Sequence, residues 1–350
     1  MFNAEYYDRG LQAACAAVAD SGALKDKRVL VTGATGLIGS YLIDALLLLN
    51  AEAGANVTLY AAGRSEAGVR ARFGARGDSP LFHYVPYDAA CPVRFDFEAD
   101  YVIHAATSAH PLAYATDPVG IMRANLLGAA HLLDYLRSQG GGRFVLLSTG
   151  ETYGENPTFP EGFTEADHGW VDTMLPRSCY PESKRAAETL CAAYAAQYGV
   201  QAVVARLCHV YGPTFTPSNS RADAQFIRKA LAGEDIVMKS TGSQVRSFCY
   251  AADAVSALLT LLVRGETGAA YNVANRNSIA SIREYAETLA DIAGVKVVFE
   301  LPPEVEKAGY TRVTRAVLNP AKLEGLGWRP RYDLRAGLEE TFLSRLESKG

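Results

Sequence analysis

The 350-residue sequence predicts an α/β fold in which a doubly wound parallel sheet is followed by a smaller C-terminal α/β lobe. Short β-branched segments alternate with helical segments over about two hundred residues, a pattern typical of a parallel sheet covered by helices. A glycine-rich turn joins the first strand to the helix after it. Beyond Tyr211 the elements become shorter and richer in Pro and Gly, which marks the second lobe.

Each element of the predicted sheet follows from its local composition. Buried parallel strands are short, apolar and rich in β-branched residues, and five segments share these properties: Arg28–Thr32, Val57–Ala61, Asp100–His104, Phe144–Ser148 and Val203–Leu207. Longer segments before and between them predict helices over 11–20, Ile38–Leu49, Ile121–Leu136 and Pro181–Tyr198. The last of these helices has a proline in its first turn, where the missing N–H costs no hydrogen bond.

Composition and charge exclude several classes of protein. The apolar content of 49% is too high for a disordered chain, and the formal net charge of −4 gives no basic surface of the kind that binds nucleic acid. The longest apolar stretch, around Leu42–Leu49, is far shorter than the roughly 18–20 residues of a membrane span. Because the first ten residues carry Glu5 and Asp8 and lack the pattern of a signal peptide, we expect a cytoplasmic protein.

The six cysteines are scattered, and none belongs to a CxxC motif. Free thiols in a reducing compartment are the simplest interpretation of this distribution, and we expect no metal site.

The turn after the first strand, Thr32–Gly39, reads TGATGLIG. Glycines at this spacing allow a tight turn, a close approach of backbone to pyrophosphate, and close packing of helix on strand. The helix that begins there offers free amides and the positive end of its dipole to the anion. The sequence therefore predicts a Rossmann-type dinucleotide site built from Gly33, Thr35, Gly36, Leu37, Ile38 and Gly39.

The second strand leaves the choice between NAD and NADP open. An acidic residue at its end would bind the ribose hydroxyls of NAD, but the segment here reads LYAAGR and holds no acid. Arg64 and Ser65 could bind the 2′-phosphate of NADP, and together with the missing acid they suggest NADP. Arg64 could equally stack on the adenine of NAD. Asp88, after the third strand, could accept a hydrogen bond from the adenine amine.

The dinucleotide motif divides the chain into three parts. Residues 1–26 are predicted as an N-terminal helical extension, residues 27–210 as the Rossmann domain and residues 211–350 as the substrate lobe, with part of 242–265 returning to the Rossmann domain.

A second constellation points to redox chemistry at a sugar hydroxyl. Tyr180 and Lys184 stand four residues apart at the start of a helix, so both side chains share one face. An ammonium beside a phenol favours the phenolate, which can take a proton from a hydroxyl group. Ser148 and Thr149 end the preceding strand, at the edge of the sheet where such folds bind ligands. Either hydroxyl could bind the same substrate oxygen.

These motifs together resemble the extended short-chain dehydrogenases/reductases, from residue 27 to about residue 340. The resemblance rests on Thr32–Gly39, His104–Ala106, Ser148–Thr149, Tyr180 with Lys184, Tyr211–Pro213 and Arg246–Asp253. It implies an enzyme that modifies a nucleoside-diphosphate sugar, keeps NAD or NADP tightly bound, and oxidises the sugar transiently at C4.

The resemblance also implies positions for the cofactor, the sugar and a second subunit. It assigns Ala105, Ala106, Thr107 and Asn125 to the cofactor cleft, Ser108 and Tyr114 to the sugar, and a structural role to His104. It implies a homodimer formed by the helices at 121–136 and 181–198. Their apolar faces carry Leu126, Ala129, Leu133, Ala187, Leu190 and Tyr194, although burial inside one subunit would fit these faces equally well.

Within this family the chain looks most similar to the UDP-glucuronate decarboxylases, also called UDP-xylose synthases. The similar segments are 149–154, 221–226, 230–234, 244–250 and 323–328. Arg315 matches a family arginine near the sugar and diphosphate. Since arginine binds phosphate oxygens bidentately, Arg246 and Arg221 are further candidates for the diphosphate.

Two departures from the family pattern bear on the reaction. Gly150 replaces the family serine, in a slot where 4,6-dehydratases often hold the acid that protonates the C6 hydroxyl. Glycine cannot do this, whereas the retained Glu151 could deprotonate C5 or order a water there. His209 replaces an asparagine that contacts the sugar-phosphate, and it could titrate near its ordinary pKa.

Several functions remain open on the sequence. An NDP-uronate decarboxylase ranks first, because decarboxylation of a C4-ketosugar needs no leaving-group acid. An NDP-sugar 4-epimerase ranks second, followed by an NDP-hexose 4,6-dehydratase or a C4 oxidoreductase. A scaffold that only senses a dinucleotide would be expected to lack Tyr180 or Lys184, and the chain has both.

Overall fold

The computed structural model describes residues 2–18, 22–107, 109–155, 162–300 and 313–346. Its strands, in chain order, are β1 (Arg28–Thr32), β2 (Thr58–Gly63), β3 (Phe82–Pro86), β4 (Tyr101–His104), β5 (Arg143–Thr149), β6 (Gln201–Leu207), β7 (His209–Tyr211), β8 (Ile236–Met238), β9 (Val245–Tyr250), β10 (Ala270–Val273), β11 (Ile279–Ser281), β12 (Val297–Phe299) and β13 (Arg315–Ala316). Its helices are α1 (Ala4–Cys15), α2 (Leu37–Ala53), α3 (Glu66–Phe73), α4 (Pro111–Thr116), α5 (Pro118–Ser138), α6 (Cys179–Tyr198), α7 (Ala222–Leu231), α8 (Ala251–Arg264), α9 (Ile282–Ala293), α10 (Ala321–Gly325) and α11 (Leu334–Leu343).

The predicted doubly wound sheet is confirmed. Seven parallel strands pair in the order β10-β6-β5-β4-β1-β2-β3. The chain winds outwards from β1 in one direction and from β4 in the other, so β1 and β4 are neighbours at the switch point. Ligands of such sheets bind beyond the carboxyl ends of the strands at this point, which is where Thr32 and His104 end β1 and β4.

Helices cover both faces of the sheet. On one face α5 and α6 pack on β4–β6 through a buried cluster that includes Leu132, Leu133, Phe144 and Ala187. On the other face α2 and α8 lie beneath α1, whose buried side chains include Tyr7 and Leu11. Burial of the apolar side chains on both faces supplies the main driving force for this three-layer arrangement.

The N-terminal helix begins earlier than the expected range of 11–20. Asn3 caps it by accepting a hydrogen bond from the backbone N–H of Glu5, so α1 runs from Ala4 to Cys15. The phenol of Tyr7 donates to the buried carboxylate of Asp44 at 2.5 Å, and Arg72 also donates to this carboxylate at 2.5 Å. These bonds join α1 to α2 and α3.

The second lobe contains two smaller sheets. Strand β9 pairs with β7, β11 and β13, and β8 pairs with β12. Helices α7, α9 and α11 pack together beside them. Two elements within the predicted lobe return to the first domain, since α8 packs on α1 and α2 and β10 pairs with β6. The returning segment thus extends beyond residue 265, the limit given by the sequence, to Val273.

Within the described ranges, no helix is both long and apolar enough to cross a membrane. The cytoplasmic location stays a prediction.

Candidate active site

The glycine turn between β1 and α2 has the backbone geometry that a dinucleotide requires. Gly33 has a φ of +68°, and a Cβ on it would lie 2.6 Å from the carbonyl oxygen of Ala105. A Cβ on Gly39 would lie 2.3 Å from the carbonyl oxygen of Gly33. Gly36 caps α2 without a side-chain hydrogen bond, so the first amides of the helix stay open to an anion. These features fit a pyrophosphate at the turn.

The side chain of Thr32 holds the end of β4 against this turn. Its hydroxyl accepts from the amides of Ala105 and Ala106 at 3.2 and 3.3 Å. It also bonds to Nδ1 of His104 at 2.8 Å. Burial, together with the smaller effect of the charge of Lys184, lowers the pKa of His104 to about 3. A neutral, buried imidazole fits the structural role expected of His104.

Residues predicted near the adenosine end of the cofactor lie at the ends of β2 and β3. Arg64 is exposed immediately after β2. Ser65 caps α3 by accepting from the amide of Gly68 at 3.1 Å. Asp88 accepts from the amide of Ala90 at 2.9 Å. Ser65 and Asp88 therefore already serve local backbone groups, whereas Arg64 projects from the sheet edge as an exposed cation.

Two further residues that the sequence places in the cofactor cleft have buried polar atoms without hydrogen-bond partners in the described chain. Asn125 is buried on α5 and donates to Ser183 at 2.9 Å, while its amide oxygen has no partner among the described residues. The hydroxyl of Thr107 is buried and also lacks one. Buried polar atoms are nearly always paired, so these two are available to a ligand. Thr35 is exposed, and Leu37 and Ile38 are half-buried at the helix start.

Thr149, Tyr180 and Lys184 converge where β5 meets α6. All three side chains are buried. The ammonium of Lys184 donates to the carbonyl oxygen of Leu147 at 2.6 Å. The hydroxyl of Thr149 lies beside the phenol of Tyr180. The predicted group is therefore assembled by the carboxyl end of a central strand and the first turns of one helix.

Burial is the largest influence on the pKa values of Tyr180 and Lys184. It raises the pKa of Tyr180 above its usual value, and the negative charge of Glu151 adds to this rise, while the nearby hydroxyl of Thr149 opposes it. Burial lowers the pKa of Lys184 to about 8, against the opposing charge of Glu188. The sequence argument expects Lys184 to lower the pKa of Tyr180. In the structure desolvation outweighs nearby positive charge.

Ser148 does not join Thr149. Successive residues of a strand face opposite sides of the sheet, and the hydroxyl of Ser148 donates to the carboxylate of Glu188. Glu188 also forms a half-buried ion pair with Arg206, with 2.7 Å between Nη2 and Oε2. Of the two predicted hydroxyls, only Thr149 lies beside Tyr180.

Glu151 lies on the 3₁₀ turn Gly150–Tyr153 that follows β5. Its carboxylate accepts from Nη2 of Arg177 at 2.8 Å. The guanidinium carbon of Arg177 is 4.4 Å from the ring centroid of Tyr114, and the rings of Tyr114 and Tyr180 stack with centroids 4.9 Å apart. Tyr114 thus contacts Tyr180 directly. Glu151 is linked to Tyr180 through Arg177 and Tyr114.

A hydrophobic side chain occupies the space beside Gly150. A Cβ at this position would lie 3.1 Å from both methyl carbons of Leu318. Leu318 is buried with Tyr153 and Phe163. A larger residue at position 150 therefore requires a shift of either Leu318 or the turn itself.

The predicted diphosphate arginines differ in exposure. Arg221 donates to the carbonyl oxygen of Val210 at 2.7 Å, while its buried Nε has no partner in the described chain. Arg246 is buried, and its Nη2 donates to the carbonyl oxygen of Val313 at 2.8 Å. Arg315 is exposed on β13, the strand next to Arg246. Arg221 keeps one free donor, and Arg315 keeps an exposed guanidinium.

His209 does not titrate near neutral pH, contrary to the sequence expectation. Burial, together with the smaller effects of the charges of Arg221 and Arg246, lowers its pKa to about 3. It stays a neutral residue on β7, where its ring lies at the edge of Phe248. Ser108, the remaining predicted substrate residue, lies outside the described residues.

Residues 29–274 match the model of the NAD dependent epimerase/dehydratase family. The chain belongs to this family. It is 34% identical over 322 residues to UDP-glucuronic acid decarboxylase 6 of Arabidopsis thaliana, across 91% of this chain and 90% of that protein. UDP-glucuronic acid decarboxylase 1 of Danio rerio is 32% identical, across 90% and 72% of the two chains. The UDP-glucose 4-epimerase of Thermus thermophilus, solved in complex with NAD, is 27% identical with a TM-score of 0.74, across 90% and 97%.

Sequence reasoning missed several residues of this epimerase/dehydratase site. Arg177 stands three positions before Tyr180, and that short spacing was the available signal. Glu188 stands four positions after Lys184 on the same helix, and that spacing was available as a signal. Leu318 and Arg206 belong to other elements, and no local pattern connects them with Tyr180. Each of them contacts a neighbour of the predicted catalytic group.

Proposed function

We propose that this protein decarboxylates a UDP-glucuronate-like nucleoside-diphosphate uronate by transient oxidation at C4. The observation that carries the proposal is the group formed by Thr149, Tyr180 and Lys184 beside a position, Gly150, that has no side chain. The group is suited to redox chemistry at a hydroxyl, and glycine supplies no acid for dehydration. Similarity to UDP-glucuronic acid decarboxylases supports the same choice.

The chain's own residues have distinct roles in this reaction. A nicotinamide dinucleotide, held at the Gly33–Gly39 turn, supplies hydride acceptance and return. Tyr180 takes the proton of the C4 hydroxyl and later gives it back. Thr149 holds the C4 oxygen, and Lys184 places positive charge beside the phenol when it is protonated. Once C4 is a ketone, the C6 carboxylate is β to it and leaves as CO₂, while the C5 enolate keeps the electron pair until C5 is protonated.

We propose NAD as the cofactor, with NADP as the alternative. The hydroxyl of Ser65 is engaged in capping α3, which leaves Arg64 as the single proposed contact for a 2′-phosphate. The NAD complex of the related epimerase supports this choice. Mass spectrometry of the cofactor released from the purified protein distinguishes the two, with NAD as the expected result.

The test of the reaction is incubation of the purified holoenzyme with UDP-glucuronate, UDP-glucose and UDP-galactose, followed by mass spectrometry. We expect UDP-glucuronate to lose CO₂ and the neutral sugars to remain unchanged in mass and configuration. Loss of water from UDP-glucose, or epimer formation without a mass change, would instead assign a dehydratase or an epimerase. Either result without CO₂ release contradicts the proposal.

We also propose that a second copy of the chain covers one face of α5. Val119 and Met122 are exposed there, and Leu126, Leu127 and Ala130 continue the apolar stripe as half-exposed residues. Such stripes on a surface helix favour association. Other members of the predicted interface, Ala129, Leu133 and Ala187, are instead buried within the subunit.

Met122→Arg is expected to convert the dimer to a monomer, because it places an unpaired charge in an apolar interface. Light scattering after size-exclusion chromatography measures the mass. Lys229→Met, on the surface of α7, is the control and leaves the mass unchanged. A Met122→Arg variant with the wild-type dimer mass, or a wild-type monomer, rules the α5 interface out.

A further inference from the structure

Arg177 is a cation close to the proposed catalytic group, and its partner is a partly exposed carboxylate. Its guanidinium lies on the ring of Tyr114, which stacks on Tyr180, and it donates to Glu151. Half of its side chain is exposed, as is 40% of that of Glu151. No further hydrogen-bond acceptor contacts this guanidinium in the described part of the chain. The ion pair therefore borders solvent as well as the catalytic tyrosine.

Ion pairs with this exposure are readily replaced. Exposed pairs contribute about 1 kcal/mol or less, because water competes for both charges. A carboxylate from a ligand that binds the guanidinium in a bidentate manner forms a stronger contact than the single bond to Glu151. The ring of Tyr114 keeps the guanidinium in place through a cation–π contact during such an exchange.

The other candidate cations have different surroundings. Arg221 and Arg246 donate to backbone carbonyl oxygens and have buried side chains or buried donor atoms. They cannot turn towards a new anion without leaving those oxygens unpaired in the interior. Arg177 loses only a half-exposed contact, so it is the arginine most suited to a group that arrives with the substrate.

We propose that Arg177 determines specificity for a uronate, by exchanging Glu151 for the C6 carboxylate of the sugar. This inference rests on the proposed function. In the proposed reaction the C4 hydroxyl lies at Tyr180 and Thr149. C6 is two carbons from C4, so its carboxylate stays close to Tyr180, whose ring is linked to Arg177 through Tyr114. The exchange frees the carboxylate of Glu151, which is then available at C5.

The role has a kinetic consequence. A contact to the C6 carboxylate is present in the bound substrate and is lost as CO₂ departs, so it favours binding and not the chemical step. Removal of the guanidinium is therefore expected to raise KM for UDP-glucuronate about tenfold or more, the effect of losing a charge-assisted hydrogen bond. We expect kcat to stay within about threefold of wild type.

Binding measurements separate recognition from turnover. Titration calorimetry of the Tyr180→Phe holoenzyme with UDP, UDP-glucose and UDP-glucuronate avoids consumption of the substrate. Adding Arg177→Gln to this variant is expected to weaken the binding of UDP-glucuronate about tenfold or more. The affinities for UDP and UDP-glucose should change by less than about twofold. Arg177→Lys keeps the charge without the planar fork and should give an intermediate loss.

The chain offers a closely matched control in Arg283. It is 55% exposed, pairs with Glu287 at 2.7 Å, and lies 5.3 Å from the ring centroid of Phe299. Arg283→Gln removes the same charge and the same kind of contacts on α9, and no affinity should change. An equal loss for all three ligands in Arg177→Gln, or no loss for UDP-glucuronate, overturns the assignment of Arg177. Failure of the proposed function shows separately, as absence of CO₂ release by the wild-type enzyme.

Discussion

Tyr180→Phe is expected to lower the rate of CO₂ release from UDP-glucuronate by about a thousandfold, while the dinucleotide stays bound. The substitution removes the phenolic oxygen that takes the C4 proton, and positioned acid–base groups contribute about 10²–10⁴-fold to rate. The aromatic ring remains, so its stacking on Tyr114 at 4.9 Å is kept. Without the C4 ketone the carboxylate has no electron sink, and decarboxylation stops as well.

Single-turnover rates, together with the cofactor content of the purified variant, measure this effect. Tyr135→Phe is a matched control, since its phenol donates to the carbonyl oxygen of Phe97 at 2.8 Å on the α5 side of the sheet. We expect wild-type turnover from that variant. A Tyr180→Phe enzyme within tenfold of wild type would remove Tyr180 from its proposed role.

Local sequence patterns were sufficient for the sheet and for the cofactor turn. Strand composition is a local property, and the glycine spacing at Gly33–Gly39 reports a contact between adjacent elements. The return of β10 to the sheet could not be predicted in the same way, because Ala270–Val273 is a four-residue segment that pairs with a strand about 66 residues earlier. Short strands carry little compositional signal.

The position of Tyr180 next to Lys184 on α6 was predictable for a related reason. Tyr180 and Lys184 share a helix face by their spacing alone. Ser148 and Thr149 were treated as equivalent, although strand alternation separates them, and the structure bonds Ser148 to Glu188. The neutral state of His209 could not be predicted from nearby sequence. It depends on burial beside Arg221 and Arg246, and Arg246 is 37 positions away in the chain.

Gly150→Ser alone is expected to lower kcat/KM for UDP-glucuronate about tenfold, although serine is the residue that the resembling family carries there. The new Cβ would lie 3.1 Å from the methyl carbons of Leu318. Because Leu318 is buried against Tyr153 and Phe163, relief comes from movement of the turn that carries Glu151. Overpacking of this kind costs about 1–3 kcal/mol.

A second substitution tests this explanation. Leu318→Ala opens the space that the serine needs, so Gly150→Ser with Leu318→Ala should recover most of the lost kcat/KM. Leu318→Ala alone leaves a cavity and is expected to lower the free energy of unfolding by about 2–4 kcal/mol. Urea denaturation and kinetics of the four proteins form a double-mutant cycle, and we expect a coupling of about 1 kcal/mol or more.

Additive effects would show that Gly150 and Leu318 do not constrain each other. Full activity of Gly150→Ser would show that the turn accepts a side chain without moving Glu151. Recovery in the double variant would instead establish that the glycine is retained because Leu318, 168 positions away in the chain, occupies the space of the family serine. Loss of that hydroxyl is then compatible with decarboxylation, since the departure of CO₂ requires no acid at position 150.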